Sequence, residues 1–194
     1  MASQNLILAS SSPRRSRLLA ESGFTFEVRI ANATELQDPS MDPATLVAFN
    51  ARLKALPVAQ LHGDCVVLGA DTVVAFGSKV LGKPSSMNEA VLMLEELNGR
   101  EHTVFSGVCL LHHNAAFEQV FVERTTVRFR RLSTAERLAY LERINPLDKA
   151  GAYAAQDDAG ELIAGFDGSF SNVVGLPMEA LVPKLAALGV LPRH

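Results

Sequence analysis

No long run of basic residues appears anywhere in the chain. The electrostatic footprint of a duplex-binding protein is therefore missing, and nucleic acid is not an expected partner. No stretch of 18 apolar residues exists either, so no helix is expected to span a membrane. The first residues have neither the basic start nor the apolar stretch of a secretory signal, and the cytoplasm is the expected compartment. Cysteine is scarce: Cys65 and Cys109 are the only two. Both stand in apolar, strand-like runs. One disulfide can be drawn on paper, but buried structural thiols in a reducing compartment are the expected reading. The five histidines show no metal-ligand spacing; His112-His113 reads most simply as a strand end. Internal repeats and low-complexity segments are also missing.

What remains is ordinary globular composition. Hydrophobic residues make up 48% and charged residues 20% of 194 positions, which argues against disorder. The length fits a single domain over 1–194, or one compact body with two lobes around a cleft. A chain of this size buries roughly 70% of its unfolded surface, enough to fold without a disulfide or a metal. The formal charge is −3, which opposes an anionic ligand. Yet charges beyond roughly 8 Å are largely screened at physiological salt, so a local cluster of cations can outweigh the total.

The pattern mixes strands and helices. Residues 5–9 read as a buried strand, broken by Ser10, Ser11 and Ser12. Ser12 is a good N-cap with Pro13 at the first helical position, for a helix over 14–22. A second strand is expected over 25–30. Asp42-Pro43 opens a second helix that Pro57 should end or kink. Residues 65–76 form a β-branched strand run, interrupted by Gly69-Ala70-Asp71-Thr72, with a return strand at Val80-Leu81. Ser86 with Glu89, and Ser133 with Glu136, read as capping boxes. Residues 103–113 and 118–129 read as long paired strands. The stretch 145–160 is turn-rich. Strands are expected over 162–166 and 170–174, then a last helix over 178–188. Strict βαβ alternation is absent, so the expected class is α/β in the mixed, α+β sense, with a long twisted mixed sheet flanked by helices.

Four segments could carry chemistry. Ser10-Ser11-Ser12-Pro13-Arg14-Arg15 lies between a strand and a helix. A helix N-terminus offers unpaired N–H groups and a partial positive charge, and arginine forks suit phosphate. The alternative is an N-cap with two surface arginines. Asp71 sits inside an apolar strand run, where a carboxylate is costly unless paired, hydrogen-bonded or metal-bound. It is a candidate general base or metal ligand; the alternative is a structural aspartate at a bulge. Lys83, in Gly82-Lys83-Pro84, could reach a phosphate, or be an exposed lysine after a hairpin. Gln156 follows the small-residue stretch Ala150-Gly151-Ala152-Tyr153-Ala154-Ala155 and can both donate and accept, as base reading requires; the alternative is a loop packed under a sheet. Glu35 and Lys54 taken singly read as solvated charges, and Asp157-Asp158 as a solvated turn.

In order, these pieces resemble the Maf family of nucleotide pyrophosphatases. The matching residues are Leu6-Ile7-Leu8-Ala9-Ser10 with Ser12-Pro13-Arg14-Arg15, Glu35, Lys54, Gly69-Ala70-Asp71-Thr72, Gly82-Lys83-Pro84, Asp148-Lys149-Ala150-Gly151-Ala152-Tyr153 with Gln156, and Val174-Gly175-Leu176-Pro177. They run across nearly the whole chain. The resemblance implies an elongated α/β body with a deep cleft between two lobes, similar to inosine triphosphate pyrophosphatases. It implies a divalent metal, Mg²⁺ or Mn²⁺, and cleavage between the α- and β-phosphates of a nucleoside triphosphate. The match is nearest to the branch acting on dTTP and UTP, with Arg14, Thr72 and Gln156 at the specificity positions. Two positions depart from the pattern: Thr34 stands where many members have an acidic residue, and Asp157-Asp158 follow the glutamine where many have glycine.

The resemblance assigns roles. Asp71 is the expected proton acceptor, with Glu35 and Lys83 beside it. Ser10, Ser12, Arg14, Arg15 and Lys54 are the expected phosphate-binding residues. Glu35 and Asp71 are the expected metal ligands. A homodimer enters by resemblance alone. Two other readings stay open: a pyrophosphatase for 7-methyl-GTP or other modified nucleotides, and a non-enzymatic regulator of septum formation.

Overall fold

The computed structural model describes residues 4–38, 40–158 and 160–193. One seven-stranded mixed sheet organises them. Its strands are β1 (Leu6–Leu8), β2 (Phe26–Val28), β3 (Val66–Phe76), β4 (Lys79–Leu81), β5 (Glu101–His112), β6 (Phe117–Phe129) and β7 (Ile163–Asp167), in the order β2-β1-β3-β5-β6-β7 with β4 paired to β3. The β1 pairings with β2 and β3 are parallel; all the others are antiparallel. The chain is thus α/β in the mixed sense.

Among the described residues six α-helices flank the sheet: α1 (Pro13–Glu21), α2 (Pro43–Leu61), α3 (Met87–Leu97), α4 (Thr134–Arg143), α5 (Phe170–Val174) and α6 (Met178–Ala187). The long strands β3 and β5 pass through two separate cores. At one end, Leu8, Leu68 and Leu110 pack with Leu19 of α1 and Leu181 of α6. At the other, Val74, Val104 and Val127 pack with Leu94 of α3 and Leu141 of α4. Helix α2 covers the opposite face at the first end, where Ala51, Ala55 and Val58 meet Ile7, Val67 and Cys109.

At two points α2 also meets the sheet main chain to main chain. A Cβ added at Gly69 would collide with the carbonyl of Ala51, and one at Gly107 with the carbonyl of Val47. Gly69 and Gly107 belong to the adjacent strands β3 and β5. Glycine at these points lets a helix backbone lie directly on a sheet.

Several sequence expectations need correction. Pro57 lies inside α2, which continues to Leu61. Val58 and Ala59 beyond it are buried in the core, and that burial outweighs one missing N–H. The run 69–72 does not interrupt β3; Asp71 pairs with Gly107 in an unbroken ladder. The expected strand over 170–174 is the helix α5, because the Ser169 side chain caps it by accepting from the Asn172 N–H. The Ser86–Glu89 box is half made: Ser86 caps, but the Glu89 carboxylate turns to Ser85. The Ser133–Glu136 box is complete. Asp158 is no solvated turn; it is buried and accepts from the N–H groups of Leu162 and Ile163. The side chain of Asp157 lies outside the described residues. Both cysteines are free thiols, Cys109 buried and Cys65 partly so. Burial pushes the Cys109 thiol up to about 12. Among the described residues no helix is long and apolar enough to cross a membrane.

Candidate active site

A cleft of about 920 Å³ opens between the two cores. Its walls come from segments far apart in sequence: the β1–α1 turn, the 30–38 loop, α2, the middle of β3, the turn after β4, and the 148–156 segment. Ser10, Ser12, Arg14, Arg15, Glu35, Lys54, Asp71, Thr72, Lys83 and Gln156 all line it. These ten residues, drawn from distant parts of the sequence, thus line one cavity. Thr34, the departure beside Glu35, is exposed.

The centre of the site is a charged trio. Asp71 is 6% exposed, as its place in a buried ladder dictates. Its Oδ1 lies 2.7 Å from Lys54 Nζ, and the same nitrogen lies 2.9 Å from Glu35 Oε1. Lys54 also donates to the Ala70 carbonyl at 3.2 Å. Burial tends to raise the Glu35 pKa, but Lys54, followed by Lys83 and Arg15, holds it below the usual carboxylate range. Asp71 Oδ2 accepts from Asn50 at 3.1 Å.

Asn50 was not foreseen as a site residue. It is buried on α2 one turn before Lys54, and its amide clamps the 30–38 loop as well. It accepts from the Leu36 N–H at 2.8 Å and donates to the Leu36 carbonyl at 3.0 Å. A signal was available: Asn50 is polar within the stripe Leu46, Val47, Ala51, Ala55 and Val58, and buried amides need partners.

The two arginines of the β1–α1 turn do different things. Arg15 is 8% exposed, not a surface residue. Its guanidinium donates from Nε to the Gly175 carbonyl, from Nη1 to Ser10 Oγ and the Ala70 carbonyl, and from Nη2 to Thr72 Oγ1, at 2.8–3.0 Å. Four of its five N–H groups are thus satisfied within the protein. Burial draws its pKa down from the ordinary value, opposed by Asp71. Gly175 can present its carbonyl here because it ends α5 at φ 126°, a conformation that suits glycine. Thr72 Oγ1 also bonds Ser106 Oγ at 2.9 Å, and Ser106 donates to the Asn172 carbonyl. This chain ties the β1–α1 turn to α5.

Arg14 instead reaches across the cleft. It donates to the Asp148 carboxylate at 3.3 Å and to the Asp148 carbonyl at 3.1 Å. Asp148 also pairs with Lys149, which is buried and donates to the Asn145 carbonyl. Burial tends to raise the Asp148 pKa, but Lys149 and Arg14 hold it low. Ser12 takes the N-cap position of α1 without a side-chain capping bond, and the first turn of α1 lines the cleft. Lys83 and Gln156 are exposed on its walls.

The sequence matches the model of the family described as Maf-like protein over residues 5–188. The chain belongs to that family. This Maf-like chain is 41% identical over 186 residues to a dTTP/UTP pyrophosphatase of Pelotomaculum thermopropionicum, covering 96% of this chain and 97% of that one. It is 45% identical over 185 residues to a protein of the same name from Myxococcus xanthus, covering 95% and 93%. A Bacillus pumilus protein, again named dTTP/UTP pyrophosphatase, is 39% identical over 187 residues, covering 96% and 98%. Among solved structures, the Staphylococcus aureus Ham1 protein aligns with a TM-score of 0.49 at 12% identity, covering 82% of this chain and 91% of that one.

Proposed function

We propose that this Maf-like chain hydrolyses dTTP and UTP to the monophosphate and pyrophosphate. The observation that carries this reading is a buried aspartate facing a cleft that also collects Arg14, Lys54, Lys83 and the first turn of α1. The names of its relatives support the choice of nucleotide.

In this reading the triphosphate lies along the turn before α1, between Arg14 and Lys83. Preorganised cations and helix-end N–H groups stabilise charge that develops on the phosphoryl oxygens. Asp71 takes a proton from the attacking water. The water oxygen bonds to the α-phosphorus, the bond from that phosphorus to the α–β bridging oxygen breaks, and pyrophosphate leaves with the electron pair. Arg15 holds the geometry of the turn more than it touches phosphate, since most of its donors are spent inside the protein. Thr72 acts through the same network, keeping Arg15 and Ser106 in place beside the substrate.

The donor set fits a divalent ion such as Mg²⁺ or Mn²⁺. Glu35 and Asp71 already converge on one cationic nitrogen, and carboxylate oxygens suit these hard cations. Among the described residues no third His, Cys, Asp or Glu joins them. Mg²⁺ is commonly held by one or two carboxylates plus substrate phosphates, so the triphosphate would complete the set. The bound ion would neutralise phosphoryl charge.

Gln156 and the main chain around it form the base-reading wall. Uracil and thymine share an N–H flanked by two carbonyls, which an amide complements in part. The deciding experiment is pyrophosphate release from dTTP, UTP, CTP and 7-methyl-GTP with Mg²⁺ or Mn²⁺. Turnover of dTTP and UTP well above the other two is expected. No pyrophosphate from any of them, or a clear preference for 7-methyl-GTP, would overturn the assignment.

A further inference from the structure

We propose that Lys54 is the resident counter-ion of the Glu35–Asp71 pair, and that a divalent cation takes up that position only together with a triphosphate, onto which the Lys54 ammonium moves. This rests on the pyrophosphatase reading above and adds an order to its binding events.

The argument starts from saturation. An ammonium has three N–H donors, and Lys54 Nζ has three acceptors in reach: Glu35 Oε1 at 2.9 Å, Asp71 Oδ1 at 2.7 Å and the Ala70 carbonyl at 3.2 Å. Its side chain is only 15% exposed. The ammonium therefore stands where a cation bridging the two carboxylates would stand. A dication entering the nucleotide-free site would meet a like charge on the oxygens it needs.

Displacing Lys54 alone is costly. An ammonium moved away from its partners inside a partly dry cleft is left uncompensated. A triphosphate removes that cost, because its oxygens offer the ammonium a new anionic partner. Lysine suits the exchange, being a point charge on a flexible four-carbon stem. The 30–38 loop and β3 need not move, since Asn50 ties Leu36 and Asp71 together independently of Lys54. Metal and nucleotide thus bind with positive coupling, and the nucleotide-free site resists stray divalent ions.

The test is Mn²⁺ titration followed by electron paramagnetic resonance, on wild type and Lys54→Met. Each is measured alone and with a dTTP analogue carrying a methylene between the α- and β-phosphates. Without nucleotide, Lys54→Met should bind Mn²⁺ tighter than wild type by about tenfold or more, within the range of ordinary coupling free energies. Wild type should gain Mn²⁺ affinity when the analogue is added. Circular dichroism melts check that the variant folds, and Lys54→Gln replaces it if it does not. Equal nucleotide-free affinities in variant and wild type, with Mn²⁺ retained by both when the analogue is present, would overturn the counter-ion role and leave the metal-dependent reading intact. No protein-bound Mn²⁺ in any sample would bring down both.

Discussion

Asn50 and Asp71 are joined by a 3.1 Å hydrogen bond, and the Asn50 amide donates its second N–H to the Leu36 carbonyl. One side chain thereby fixes the buried carboxylate relative to the loop that carries Glu35. Asn50→Ala should lower kcat by roughly 10–100-fold, the cost of a small misplacement of reacting groups. The KM for dTTP should change much less, because Asn50 binds the carboxylate and the loop rather than the nucleotide. Steady-state kinetics decide it; a rise in KM at constant kcat would contradict this positioning role.

Asp71→Asn should lose at least ~10²-fold in rate, the typical cost of removing a general base. The amide keeps the shape, but in either orientation its NH2 meets a donor, Lys54 or Asn50, so the melting temperature should fall by several degrees and the rate is compared at a temperature where the variant is folded. A purified variant of near-normal rate would refute the proton-acceptor role.

Arg15→Lys should act mainly on stability. Lysine cannot reproduce four bonds directed at Gly175, Ser10, Ala70 and Thr72. Leaving buried acceptors unpaired costs about 1–3 kcal/mol. For a domain of this size each kcal/mol is worth about 2–4 °C in Tm. Differential scanning calorimetry measures the shift, and an unchanged Tm would show that the network is dispensable.

His102 predicts a pH dependence of folding. It is 3% exposed, edge-on to Phe129 and Tyr153, with Nε2 on the Tyr153 hydroxyl and Nδ1 without a hydrogen-bond partner among the described residues. Burial pushes its pKa down to about 4. The unfolded chain therefore takes up this proton first as pH falls. The stabilising effect is fully present above the unfolded value, about 6.5, and is lost as pH drops toward the folded one. The whole effect is about 3 kcal/mol. Urea unfolding at about pH 7.5 and about pH 4.5 should show wild type losing more stability than His102→Phe over this interval. Parallel losses would mean that His102 carries no such penalty.

Gln156→Ala should relax the choice of base more than it weakens the handling of phosphate. The ratio of kcat/KM for UTP against CTP should fall, while inhibition by pyrophosphate should hardly change. Equal losses on UTP and on a non-pyrimidine triphosphate would count against base reading by this amide.

The fold was legible where local chemistry and burial agreed. The long strands β5 and β6 and the Ser133 capping box declare themselves in the sequence, because pattern and cap point the same way. The strand expected over 170–174 failed because the Ser169 cap and the buried Asn172 outweigh two adjacent valines. Pro57 misled because tertiary burial of Val58 and Ala59 is invisible locally. In the site, the motif residues could be chosen from their order, but their division of labour could not. Nothing in two adjacent arginines says that Arg15 turns inward while Arg14 spans the cleft to Asp148. Asn50 escaped because its importance lies in two partners, Leu36 and Asp71, that are 14 and 21 residues distant.

Gly69 and Gly107 give this enzyme an unequal tolerance to change. With α2 seated on bare main chain, the spacing between the lysine of the helix and the aspartate of the strand has no compressible layer to absorb a substitution. The facing wall, built from single 3₁₀ turns over Pro146–Asp148, Ala150–Ala152 and Ala155–Asp157, is tight at Gly151, where an added Cβ would crowd Val74, but ends at the exposed Gln156. Altered nucleotide preference should therefore arise by rebuilding that wall, with the chemical end of the cavity left as an invariant anvil.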